Sequence, residues 1–303
     1  MRDRYRGALL GLAVGNTLGL PVESCSSSEI RRRYPKGVRD IAPTELELPW
    51  DDDLAQAVIL AEAILEHDTL RTDDLAARLI EWFESNGRGM GAQTRAVITA
   101  LRQGLLPSEA ARLVWERDGG SPAGNGAVMR CAPAALRWRD DPVKLLQETE
   151  HSVLVTHHDP RCVWSAYAIN LAVAAAVNGR AISIAEIAGA LERNDVGPHT
   201  LHAVRAVSGR GLEHLRLDGT AIGFTLKAMQ VGLWCLEHAS DFEEPLVAVI
   251  QAGGDTDTNG AVAGAVLGAL HGADAIPERW IAKIPRAVHL VSLADRLLER
   301  AAE

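Results

Sequence analysis

GGDTDTNGAVAGAVLGALHG, residues 253–272, carries the pattern that decides the fold. Glycine recurs there every fourth residue, at Gly260, Gly264, Gly268 and Gly272, among alanine, valine and leucine. Residues four apart share one face of a helix, so the spacing predicts a helix with a stripe bare of side chains. RGALLGLAVGNTLGLPVE, residues 6–23, repeats the device with Gly7, Gly11, Gly15 and Gly19. An interior glycine costs a helix about 0.5–1 kcal/mol relative to alanine. Close approach of another backbone must offset that cost. One stripe lies next to Asp255 and the other next to Glu23.

Outward from these segments, helical periodicity dominates. Apolar residues recur at three- and four-residue spacing in 5–14, 54–65, 75–83, 97–105 and 108–115. The same spacing returns in 163–177, 184–191, 201–207, 222–237, 245–252, 260–270 and 288–298. Only 37–41 offers a weak strand pattern. Aromatic residues make up 4% of a chain that is 47% hydrophobic, so alanine, leucine and valine supply the apolar mass. That composition suits packed helices better than sheets. With no linker, low-complexity tract or solenoid period, the expectation is an all-α, single compact multi-helix domain spanning 1–303.

A net charge of −9 argues against a stable nucleic-acid scaffold, which would neutralise phosphates with basic residues. The basic run Arg31–Arg33 reads as a solvated helix face. Cys25, Cys131, Cys162 and Cys235 lie far apart, without a CxxC pair, and read as reduced thiols. No apolar run approaches the roughly 20 residues of a membrane span. The N-terminal apolar run is broken by Asn16 and lacks the small-residue site of a cleaved leader. The expected location is cytoplasmic, with no membrane partner.

Two acidic clusters stand out. LPWDDDLAQAV, residues 48–58, places Asp51, Asp52 and Asp53 together, and GGDTDT places Asp255, Thr256, Asp257 and Thr258 just ahead of the glycine-striped helix. Two carboxylates held about 4 Å apart repel by roughly 4 kcal/mol at an effective dielectric near 20. Both clusters sit at expected helix N-termini, where the dipole favours an anion by about 0.3–1 kcal/mol. Capping alone is therefore one reading of either cluster. It does not account for three adjacent aspartates in one place and DTDT in the other, nor for Gly253-Gly254. The second reading is a pair of divalent cations, since an all-oxygen donor set suits Mg²⁺, Mn²⁺ or Ca²⁺ and suits zinc poorly.

These segments, with GNGAVMRCAPAAL (124–136), THHDP (156–160) and the continuation to Trp280, occur in the order and spacing of the ADP-ribosylglycohydrolase family. The resemblance runs from about Arg6 to Trp280. It implies an all-α fold, two Mg²⁺ or Mn²⁺ ions, and hydrolysis of the bond from ADP-ribose C1″ to a modified group. The implied substrate is an ADP-ribosylated protein, small molecule or nucleic acid. By position, the resemblance implies metal ligation by Asp51, Asp52, Asp53, Asp255, Asp257 and Thr258. It implies substrate contact by Gly124, Asn125 and Gly126, whose loop would approach the diphosphate, and by His157. Asp52, Asp255 and Glu23 are the candidate proton carriers. Met129 and Arg130 are further cleft candidates, with a surface carboxylate as the alternative partner of Arg130.

Three positions depart from the family pattern. Asp51 and Leu54 stand where the family's W-T-D-D-T segment has threonines, and Asn16 stands where G-D-A-L-G has its aspartate. The Asn16 and Asp51 departures fit either of two readings: a site charge kept roughly constant, or a metal preference shifted toward Mn²⁺ or Ca²⁺. Two other readings fit the same residues: an ADP-ribose-binding protein that has lost turnover, motivated by Asn16 and Leu54, and a metal-dependent hydrolase of another nucleotide or glycoside.

Overall fold

The computed structural model describes residues 1–302. Helices carry the chain: α1 (Arg2–Gly19), α2 (Ser27–Arg33), α3 (Asp52–Glu66), α4 (Thr72–Ser85), α5 (Ala92–Arg102) and α6 (Pro107–Arg117). They continue as α7 (Ala132–Arg137), α8 (Pro142–Leu154), α9 (Pro160–Val177), α10 (Ile184–Glu192) and α11 (Pro198–Arg205). The last third holds α12 (Thr225–His238), α13 (Glu243–Gln251), α14 (Thr256–His271), α15 (Glu278–Ile281) and α16 (Ala287–Ala301). Among the described residues there is no strand, only the isolated bridges Ser26–Gly253 and Gly124–Phe224. The strand expected at 37–41 is irregular backbone. It packs beside α13, where a side chain on Gly37 would strike Val247.

The two glycine stripes meet each other. Helices α1 and α14 lie antiparallel, Gly7 against Gly268, Gly11 against Gly264 and Gly15 against Gly260. A Cβ on Gly11 would stand 2.1 Å from the Gly264 carbonyl oxygen, and one on Gly264 would stand 1.9 Å from that of Gly11. No side chain fits between the helices. The approach offsets the helical cost of glycine with backbone dispersion and Cα–H···O contact.

This pair forms the spine of one continuous apolar core, to which α3, α7, α9, α12, α13 and α16 contribute. Helix α9 is long and apolar enough to cross a bilayer by length and composition, contrary to the sequence expectation; 83% of it is buried inside the protein. Arg31–Arg33 form the exposed last turn of α2, and all four cysteines are free. Helices α2, α7, α8 and α15 escape the periodicity reading. Three of them are seven residues or fewer, and α8 is entered through Pro142 behind an Asp141 cap.

Candidate metal centre and ligand cleft

The spine ends where the chemistry begins. At the C-terminal end of α1, Gly19 lies against the backbone of Thr256, whose hydroxyl donates to Gly19 O at 2.8 Å. The chain then turns through a 3₁₀ segment, Leu20–Val22, to Glu23. Reciprocal backbone bonds stitch this turn to the loop before α14: Ser24 N donates to Gly254 O (2.8 Å) and Gly254 N to Cys25 O (2.9 Å). Gly253 and Gly254 have φ of +77° and +82°. Side chains there would meet Ser27 N at 2.7 Å and Leu217 O at 2.2 Å. The paired glycines therefore let three backbone segments converge, which brings Glu23 beside Asp255 and Asp257.

Helix α3 brings the second cluster to the same place. Asp51 occupies the N-cap position, with Asp52 and Asp53 in the first turn. Asp51, Asp53 and Asp257 are almost wholly buried. Their oxygens form one set within 4.8 Å of one another, and those of Glu23, Asp255 and Asp257 form another. Asp257 belongs to both sets. Thr258 and Asp52 line the adjoining cleft, a cavity of about 270 Å³.

Helix capping does not explain these acids. Neither Asp51 nor Asp255 makes a side-chain cap bond. Among the described residues, no ion pair to a lysine or arginine engages any of the six carboxylates, while one oxygen each of Asp51, Asp53 and Asp257 is buried with no hydrogen-bond donor. A buried carboxylate without a partner is costly, so such groups normally pair, bind metal or take up a proton. Burial, with a lesser contribution from neighbouring acids, drives Asp51 up to about 6. Burial followed by the charges of Asp51 and Asp255 drives Asp52 up to about 7. Burial and the opposing acids hold Asp53 and Asp257 well above the usual carboxylate range. Glu23, at the rim, is raised by burial of its carboxyl and by Asp255. An all-oxygen set with orphaned acceptors fits hard divalent cations.

The departures from the family pattern resolve in two different ways. Asn16, buried in α1, donates through Nδ2 to Asp51 Oδ2 at 3.2 Å. The two departing positions are thus in contact. Leu54 is buried against Leu9, Leu12 and Leu293 on the core side of α3, away from the acids. Leucine there removes no oxygen from the cleft.

The opposite wall is the Gly124–Gly126 loop. Cys162 Sγ donates to Gly124 O at 3.3 Å and Arg130 Nη1 donates to Gly126 O at 2.8 Å, which turns those carbonyls toward the protein. The N–H groups of Gly124 and Asn125 go to Gln93 Oε1 (3.3 Å) and Gly223 O (3.0 Å). Asn125 Nδ2 donates to Asp255 Oδ2 at 2.9 Å, tying this wall to the acidic one. His157 lines the cleft against the loop, while its neighbour His158 turns onto Trp115, ring centroids 5.2 Å apart.

Met129 lines the cleft as expected, but Arg130 does not, nor does it meet a surface carboxylate. Its guanidinium is fully buried behind the loop, on Gln56, Gly126 O, Ser152 O and Thr156. Sequence reading also missed Gly89, Gln93 and Thr94, which complete the cleft. The signal was the glycine run at 87–91: Gly89 has φ +80°, and a Cβ there would stand 2.5 Å from Asp52 Oδ1.

An all-helical fold whose spine delivers two acidic helix starts and a glycine loop to one cleft defines the class. The chain belongs to the ADP-ribosylglycohydrolase family, enzymes that hydrolyse glycosidic bonds; the family profile matches residues 1–303. It is 28% identical to the ADP-ribosyl-[dinitrogen reductase] glycohydrolase of Rhodospirillum rubrum, over 95% of this chain and 92% of that protein. It is 25% identical to the ADP-ribosylarginine hydrolase Tri1 of Pseudomonas putida, over 99% and 79% respectively. Among solved structures, an ADP-ribosylglycohydrolase-related protein complex superposes with a TM-score of 0.80 at 26% identity, covering 99% of this chain and 98% of that one.

Proposed function

We propose that this enzyme is a dinuclear-metal hydrolase that cleaves the bond from ADP-ribose C1″ to a modified group and releases ADP-ribose. The observation that carries the reading is the pair of three-carboxylate sets sharing Asp257, with buried, unpartnered oxygens on Asp51, Asp53 and Asp257. Asp51, Asp53 and Asp257 would hold one cation, and Glu23, Asp255 and Asp257 the other, with Thr258 beside them; Mg²⁺ or Mn²⁺ suits the donors best, and Ca²⁺ is the next match. When bound, the cations supply charge that orients ribose hydroxyls and polarises a water.

The chain's own residues do the rest. Asp52 lines the cleft but belongs to neither set, which supports the reading that its carboxylate takes a proton from water and returns it to the leaving group. Asp255 is held by Asn125, and Glu23 stands at the rim, which makes them the lesser candidates. On the far wall, glycine at 124 and 126 leaves room for a diphosphate beside His157.

The test is ADP-ribose release from arginine-linked, serine-linked and nucleic-acid-linked substrates, after chelation and after return of Mg²⁺ or Mn²⁺. Metal-dependent release from at least one substrate is expected. Tight ADP-ribose binding without turnover on any of them would replace the enzyme reading with a binding one. Turnover that survives exhaustive chelation would remove the metals from it.

A further inference from the structure

Behind the ligand cleft lies a buried polar chain that the chemistry above does not use. Arg130 Nη2 donates to Thr156 Oγ1 at 2.6 Å, and Thr156 Oγ1 lies 2.8 Å from His157 Nδ1. All three residues are buried. A guanidinium is only ever a donor, so Thr156 Oγ1 accepts from Arg130. The single hydroxyl proton of Thr156 then needs an acceptor, and His157 Nδ1 is the one its oxygen reaches. The charge of Arg130 acts in the same direction, because an Nδ1–H would point its positive end toward a buried cation. Arg130 stays protonated near neutral pH, although burial lowers it to about 10. Burial and that charge push His157 down to about 3, so the ring is neutral.

From this geometry we infer that Arg130 and Thr156 are positioning residues that lock His157 as the Nε2–H tautomer, making it a fixed neutral hydrogen-bond donor into the cleft. Among the described residues Nε2 has no protein acceptor, and it sits against the loop, 3.4 Å from where a Cβ on Gly124 would lie and 3.2 Å from one on Gly126. The N–H of Gly126 likewise has no protein acceptor among the described residues, whereas those of Gly124 and Asn125 do. Arg130 also holds Gly126 O, so one buried cation orients both the loop and the ring. His157 is thereby neither a metal ligand through Nε2 nor a general base. It presents a donor to a phosphoryl or hydroxyl oxygen. The ligand half of this inference rests on the function proposed above; the tautomer half does not.

The test uses the full chain labelled with ¹⁵N-histidine, and long-range ¹H–¹⁵N correlation at neutral pH to read which ring nitrogen of His157 is protonated. Wild type is expected to show protonated Nε2 and a bare, accepting Nδ1. Thr156→Val keeps the side-chain shape and removes the hydroxyl; it should shift His157 toward the Nδ1–H form. Thr156→Ser should restore the wild-type spectrum, which a loss of packing alone would not do. With Mg²⁺ present, Thr156→Val should weaken ADP-ribose binding about tenfold, the scale of one misdirected hydrogen bond, and Thr156→Ser should recover it. Protonated Nδ1 in wild type, or an unchanged tautomer in Thr156→Val, overturns the inference. The Nε2–H tautomer in a wild-type protein that does not bind ADP-ribose overturns the proposed function and the donor role, not the tautomer assignment.

Discussion

The two ends of one helix pair treat side chains in opposite ways. Along most of the contact between α1 and α14 there are none, and backbone meets backbone at Gly7–Gly268, Gly11–Gly264 and Gly15–Gly260. Past Gly19 and Thr256, six carboxylates crowd together, three of them with buried oxygens that no group among the described residues satisfies. The first region is stable because atoms were removed from it; the second is held in place although its charges oppose folding. A seam that admits no slippage is what can force acids together, because the strain at a site is borne by the structure around it.

Breaking the seam should have the largest effect. Gly264→Ala puts a Cβ 1.9 Å from the Gly11 carbonyl oxygen, which the helices can accommodate only by separating. We predict a loss of about 3 kcal/mol or more in urea unfolding, and Gly264→Val should give no soluble folded protein. A variant as stable as wild type would mean the helices do not meet along this stripe.

Breaking the acidic end should do the reverse. Asp257→Ala removes the carboxylate common to both sets, so metal bound per chain, by elemental analysis, should fall to near zero. Turnover should drop by more than about 100-fold, the scale on which even supporting residues of a metal site act. Without metal its melting temperature should equal or exceed that of wild type, because a repelled buried charge has gone. Full metal occupancy in Asp257→Ala would refute the shared-ligand assignment. Leu54 sharpens the boundary between the regions. Leu54→Thr should cost about 2 kcal/mol in stability, from lost core packing and a buried hydroxyl, and leave metal stoichiometry unchanged.

The acids also predict a pH response. Asp51, Asp52, Asp53 and Asp257 are all raised in the folded protein above their ordinary values. The fold therefore binds more protons than the unfolded chain, and its stability falls as pH rises. In metal-free protein this contribution is complete below about pH 4, and is lost as pH climbs through 6 to 7 and beyond, where Asp51 and Asp52 ionise. Melting temperature measured with chelator should decline over that window. Added Mg²⁺ or Mn²⁺ should flatten the decline, and Asp53→Asn should reduce it. A chelated melting profile that rises from pH 5 to 8 would contradict the unpaired state of these acids.

How much of this was legible follows physical lines. Glycine at every fourth position has few purposes other than close helix contact, so both stripes could be read in the chain, as could the acids next to them. That the stripes contact each other could not be read, because partner choice is tertiary. Asp51–Asp53 exceed what a helix cap needs, which is legible in the chain, and Asp51 makes no side-chain cap bond in the structure. Arg130 was misread because arginine is almost never fully buried unless paired. Its pairing consists of the nearby Gly126 carbonyl and a carbonyl, an amide and a hydroxyl from three sequence-distant positions, with no carboxylate to mark it. Leu54 counted against activity only while its direction was unknown; helical geometry turned it to the core.

The smallest expected effect tests whether the two exchanged positions form a unit. Among the described residues, Asn16 Nδ2 supplies the one side-chain hydrogen bond that Asp51 receives. Asn16→Asp would replace that donor with a like charge, so metal-free protein at pH 8 should lose stability and the double variant Asn16→Asp, Asp51→Thr should regain it. The pair should show a coupling of about 1 kcal/mol in a double-mutant cycle, since contacting residues are non-additive on that scale. If the single changes add, Asn16 and Asp51 are independent substitutions. If they couple, one carboxylate has moved across the junction between the side-chain-free seam and the acidic cleft, from α1 to α3, with the charge of the cleft conserved.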